Sequence, residues 1–160
     1  MTTVVEQQHN VPETVRSLST LAKQDYLDLF TVTAGAAADG SPEHWARAGI
    51  DDAAGLAGQL IWRVLLGLRL ERRPSPDHVA GWKIVDRGDS WIVLEAASWF
   101  LTAQIVVQVG DGQVSVATFI RYDRPVAALV WPPLSACHRQ AMPGLLRHAA
   151  KVMGSRGIAA

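Results

Sequence analysis

The sequence predicts an α+β domain in which a curved antiparallel sheet wraps on a long C-terminal helix, with two shorter helices after the first strand. Three observations carry this. Residues 81–121 read as strand after strand, with Gly110-Asp111-Gly112 as a tight turn between two alternating runs. Residues 123–152 form a helical tail punctuated by prolines, with Leu134, His138, Ala141, Leu145 and Ala149 on one stripe. Two helical segments stand between the first strand and the meander. A curved sheet closed by one helix is a way to build a cavity, and a cavity suggests a small apolar ligand.

In chain order, residues 1–24 are polar and weakly patterned, and are expected as a partly flexible lead-in. Residues 25–154 read as a single domain and 155–160 as a tail. Residues 25–33 alternate as a strand, with Leu27, Leu29 and Thr31 on one face and Tyr26, Asp28, Phe30 and Val32 on the other. Ser41 and Pro42 start a helix, as a cap and a first helical residue, and Gly49 is expected to end it. Asp51-Asp52 then caps a second helix running to about residue 70. Its Leu56, Leu60, Ile61, Val64, Leu65 and Leu68 cover most of the circumference, which predicts a largely buried helix. Residues 71–80, with Pro74 and Pro76, are expected as a loop. The meander strands follow at 82–86, 91–97, 102–109 and 113–121. Several are apolar on both faces, so the face turned from the helices needs a cover, for which a second subunit is one candidate. In the tail, Pro132 and Pro133 should break or restart the helix, and Pro143 should kink it by depriving the Arg139 carbonyl of its partner.

Composition narrows the function. Of 160 residues, 49% are hydrophobic and 19% charged, which fits a folded domain. Lys plus Arg and Asp plus Glu stand at 15 each, which is expected to leave no basic field for nucleic acid or an anionic membrane. The run 56–70 is interrupted by Gln59, Arg63 and Arg69 and falls short of the roughly 20 apolar residues of a bilayer span. The single cysteine, Cys137, permits no internal disulfide and no multi-cysteine metal site, and the N-terminus lacks the pattern of a signal peptide. A cytoplasmic protein is the expectation, with no cofactor and no metal, since the five histidines lack ligand spacing.

Local motifs add a resemblance. Asp25-Tyr26-Leu27-Asp28, Trp45-Ala46-Arg47, Leu66-Gly67-Leu68 and the stretch 118–147 resemble an uncharacterised bacterial family of the START-like, polyketide cyclase (helix-grip) superfamily. The clearest part runs from Trp131 through His138-Arg139 to Met142-Pro143-Gly144-Leu145-Leu146-Arg147. The likeness covers about residues 25–152 and implies the helix-grip fold and a cavity, and no activity. The chain departs from the pattern at Pro125-Val126-Ala127-Ala128, where a glycine-rich turn is expected. It departs again at Ala97-Ser98-Trp99-Phe100, where a polar segment is expected.

No G-x-G-x-x-G, P-loop, H-E-x-x-H or nucleophile elbow occurs. His138, on the apolar stripe of the tail, is the foremost candidate for binding a ligand oxygen or moving a proton; the plainer reading is a core histidine hydrogen-bonded within the fold. Glu95 interrupts an apolar strand. Facing inward it would suit acid–base work, and facing outward it would pair with Arg or Lys. Among six tryptophans, Trp82, Trp99 and Trp131 are expected with His138 to line the cavity. Three functions follow. The first is a binder of a small apolar or lipid-like ligand. The second is a cyclase- or dehydratase-type enzyme using His138 and Glu95, and the third a homodimeric interaction module with a filled cavity.

Overall fold

The Asp111-Gly112 turn sets the geometry of the sheet. Both residues take positive φ, 53° and 72°, the mirror-image turn whose twist matches that of the flanking strands. It joins β6 (Leu101–Gly110) to β7 (Gln113–Tyr122) in unbroken register. The structure, a computed structural model, describes residues 3–52 and 55–158. The remaining strands are β1 (Val5–Gln8), β2 (Tyr26–Thr33), β3 (His78–Val79), β4 (Trp82–Arg87) and β5 (Trp91–Ala97). They form one seven-stranded sheet in the order β1-β2-β7-β6-β5-β4-β3, antiparallel throughout. The helices are α1 (Glu13–Arg16), α2 (Pro42–Ala46), α3 (Gly55–Leu60) and α4 (Ala127–Ile158). This is the α+β helix-grip architecture: a curved antiparallel sheet wrapped on a long C-terminal helix.

Two apolar clusters lie on opposite sides of the sheet. The larger joins Phe30, Ile92, Leu94, Val107 and Ile120 to Trp131, Met142 and Leu146 of α4. The smaller joins Leu29, Val93, Val106 and Phe119 to Val15 and Leu21 of the N-terminal segment. The segment expected as a flexible lead-in therefore contributes an edge strand, and residues 11–21 cover the second apolar face of the sheet. Gln104 ties it down. Fully buried, it accepts from Ser19 Oγ (2.8 Å) and the Thr20 amide (3.1 Å), and donates to Thr20 Oγ1 (2.6 Å). The face for which a second subunit is one candidate cover is thus packed on by residues 11–21 of the chain itself.

The helical region departs from expectation. Ser41 caps α2 by accepting from the His44 amide at 3.1 Å, but the helix does not stop at Gly49. The backbone widens through Arg47–Asp52 and again through Ile61–Leu65, where the Leu66 amide reaches back five residues to the Ile61 carbonyl at 2.9 Å. Gly67, at φ 62°, then turns the chain. The side chains of the expected caps Asp51 and Asp52, and of Leu56, lie outside the described residues. The expectation of a buried second helix is overturned: Leu60, Val64 and Leu65 are 59%, 67% and 52% exposed. Apolar residues all round a helix signal burial only when neighbours exist on every side, and among the described residues Leu60, Val64 and Leu65 face solvent.

The tail differs in the opposite sense. α4 runs through Pro132, Pro133 and Pro143 as one helix. The first two prolines withhold donors from the carbonyls of Ala128 and Leu129, which are solvent-exposed residues and so can be hydrated. On both sides of Pro143, Leu134, Met142, Leu146 and Ala149 pack onto the sheet side, and the helix continues through it.

Candidate functional site

A cavity of about 410 Å³ lies between the sheet and α4. Its walls are almost wholly apolar. The stripe read from the sequence (Leu134, His138, Ala141, Leu145, Ala149) turns to it as a whole. Trp45, Trp62, Trp82 and Trp131 contribute aromatic surface, with Trp62 and Trp82 in edge contact at 5.6 Å.

Polar side chains meet at one corner of the cavity. Across the sheet, register sets Ile84, Leu94, Ile105, Thr118 and Asp28 side by side in one row. Three are apolar, and the last two carry a hydroxyl and a carboxylate. α4 places His138 over that pair. His138 Nε2 lies 3.0 Å from Asp28 Oδ2 and 3.2 Å from Thr118 Oγ1. Tyr26 OH donates to the same Asp28 oxygen at 2.6 Å, and Arg139 reaches Tyr26 OH at 3.4 Å and Ser135 Oγ at 3.1 Å. Burial, and then the Asp28 carboxylate, push the Tyr26 phenol well above its ordinary value, so it serves as a neutral donor.

The protons follow from the acceptors. A carboxylate only accepts, so Nε2 of His138 carries a hydrogen, and Thr118 Oγ1 receives part of the same donor. That leaves the Thr118 hydroxyl hydrogen for another acceptor. Nδ1 of His138 has no hydrogen-bond partner among the described residues. The cavity therefore meets a hydroxyl donor and an imidazole, oriented from behind by a buried carboxylate. Asp28 is 4% exposed, and its Oδ1 is buried without a partner.

Of the four residues expected to line the cavity, Trp82, Trp131 and His138 do so. Trp99 does not: it sits in the turn after β5, 64% exposed, in edge contact with Phe100. Glu95 is on the other side of the sheet, with Trp91 and Val93, where its carboxylate accepts from Gln104 Nε2 at 2.7 Å. Its partner is this amide rather than the Arg or Lys expected, and it shares no site with His138. Sequence reasoning passed over Asp28 and Thr118. The signal for Asp28 was present, a carboxylate on the face that carries Tyr26, Phe30 and Val32. Among the described residues no group of three or more His, Cys, Asp and Glu could hold a metal ion, and no helix is long and apolar enough to cross a membrane.

No protein-family model matches this chain, and no curated protein does. Among solved structures, the crystal structure of Ara h 8.0201 is similar over 81% of this chain and 98% of that one, at 14% identity and a TM-score of 0.38.

Proposed function

We propose that this chain binds a small, mainly apolar molecule that carries one hydrogen-bonding oxygen, held in the cavity between the sheet and α4. The observation that supports this is the contrast between apolar walls and a single polar corner at Thr118 and His138. The volume falls within the roughly 300–1,000 Å³ of small-molecule sites. The apolar body of the ligand would gain from leaving water, and its oxygen would accept from Thr118 and meet the imidazole of His138. Paired calorimetric titrations with a medium-chain alcohol and the matching alkane test this. The alcohol is expected to bind more tightly by about 5- to 30-fold, the worth of one or two hydrogen bonds, and Thr118→Val should erase that preference. Ile105→Trp, which projects into the cavity, should abolish uptake of both. Failure of either molecule to bind the wild-type protein would sink the proposal.

The contact between Asp28 and His138 favours a second reading, an acid–base enzyme in which Asp28 takes the role expected of Glu95. A carboxylate that holds an imidazole in one tautomer is how a general base is oriented. An apolar ketone incubated with the protein in heavy water would then lose its α-protons faster than with His138→Gln. Equal rates would leave the binding reading alone.

A further inference from the structure

We propose that the helical wall of residues 55–65 and the arginine-rich turn after it form a docking face for anionic lipid surfaces. One side of this wall is the cavity itself: Gly58, Ile61, Trp62 and Leu66 line it. The other side bears Leu60, Val64 and Leu65 to solvent, the most exposed apolar cluster among the described residues. Directly after it come Arg69, Arg72 and Arg73, all exposed and none in an ion pair among the described residues. Residues 55–76 hold four arginines and one glutamate, a local charge of +3 in a chain whose total is zero. The overall balance of charge had hidden this field. Of the four arginines, Arg63 is engaged inward, donating to Gln59 Oε1 at 2.8 Å and to the Leu70 carbonyl at 3.4 Å. The glutamate, Glu71, is occupied by the amides of Arg72 and Arg73.

Exposed apolar residues followed directly in the chain by exposed arginines are the composition of a segment that lies in a lipid interface, where apolar side chains enter the acyl boundary and arginines meet anionic head groups. A second copy of this chain would answer the leucines but not the charge, because the same face of that copy is equally basic. The inference does not depend on what the cavity holds, since vesicle binding is read without any ligand. It does place the cavity wall against the phase in which an apolar ligand dissolves.

Cosedimentation with vesicles tests it, using phosphatidylcholine alone and an equimolar mixture with phosphatidylserine. The wild-type protein is expected to pellet with the mixed vesicles, weakly with the neutral ones, and to be released by high salt. Removing each guanidinium in Arg69→Gln, Arg72→Gln and Arg73→Gln should weaken binding about fivefold. The triple variant Leu60→Ser, Val64→Ser, Leu65→Ser should weaken it at least about tenfold. Circular dichroism and thermal midpoints of the variants check that these solvated positions leave the fold intact. The composition and salt dependence of the wild-type protein decides the matter even if a variant does not fold. Binding to neither vesicle overturns the proposal, as does equal binding to both. So does a dimer in sedimentation velocity that the triple serine variant dissolves, which would give the face to a second copy.

Discussion

Replacing Tyr26 by Phe removes one oxygen and leaves the ring in edge contact with Trp131, centroids 5.2 Å apart. Two interactions go: the hydrogen bond donated to Asp28 Oδ2 at 2.6 Å and the longer one received from Arg139 at 3.4 Å. Because Oδ1 of Asp28 already lacks a partner, the buried carboxylate would keep His138 Nε2 and little else. A hydrogen bond to a charged group contributes about 1.5–3 kcal/mol. The expected loss is therefore about 2 kcal/mol, or a fall of about 4–8 °C in Tm for a domain of this size. Urea unfolding measures it as a lower midpoint with an unchanged slope. The same substitution in an Asp28→Ala background should cost under about 0.5 kcal/mol, since the partner is gone. The pH dependence has a definite sign. A phenol raised in the folded state contributes fully below its ordinary value near about 10 and loses that contribution as the pH climbs through the folded value. Tyr26→Phe should therefore flatten the alkaline limb of the stability curve. An equal loss in both backgrounds, or a loss below about 0.5 kcal/mol in the wild-type background, would refute the picture of a carboxylate held by this phenol.

Three further outcomes are expected. Gly81→Ala should destabilise by about 2–4 kcal/mol in chemical denaturation, because Gly81 sits at φ 90° and a Cβ there would lie 2.7 Å from the Glu71 carbonyl oxygen. Asp25→Asn should make stability less dependent on pH below about 4, as followed by urea titrations at successive pH values. The Tyr122 amide, donating at 2.7 Å, holds the Asp25 carboxyl below its usual range, so its contribution is present above that range and vanishes as the pH falls through the folded value. Gln104→Leu should free the N-terminal arm while the sheet persists, seen as faster proteolysis within residues 9–24 and faster amide exchange at Thr20.

What could be read from the sequence was local. Strand β5 has the limits its alternation implies, the two-residue turn has the backbone its Asp-Gly requires, and the cavity stripe of α4 lies where 3.6-residue periodicity puts it. What escaped needed partners far away in the chain. Glu95 could be placed only by knowing that Gln104, opposite it on the neighbouring strand, is itself held by Ser19 and Thr20 of the N-terminal segment. The burial of the second helix depended on a neighbour on its outer side, where Leu60, Val64 and Leu65 meet solvent among the described residues. The prolines of α4 read as breaks because propensity acts over one turn, whereas packing acts over the whole helix. The polar corner draws on positions 28, 118 and 138, three elements that periodicity within any one of them could not unite.

The pairing of β2 with β7 has a consequence for how the chain acquires its shape. Strands β4 to β7 pair each with its successor, contacts that close over short loops. Asp28 and Thr118 face one another across ninety residues, a closure whose entropy is lost before the contact can repay it. As the chain leaves the ribosome, β2 emerges long before its partner, with Asp28 still in water. The meander is then the natural early unit, and the corner that holds His138 forms only when the two ends of the domain come together. The contacts of His138 with Asp28 and Thr118 therefore belong to the last act of folding, and substitutions at His138 should speed unfolding far more than they slow folding.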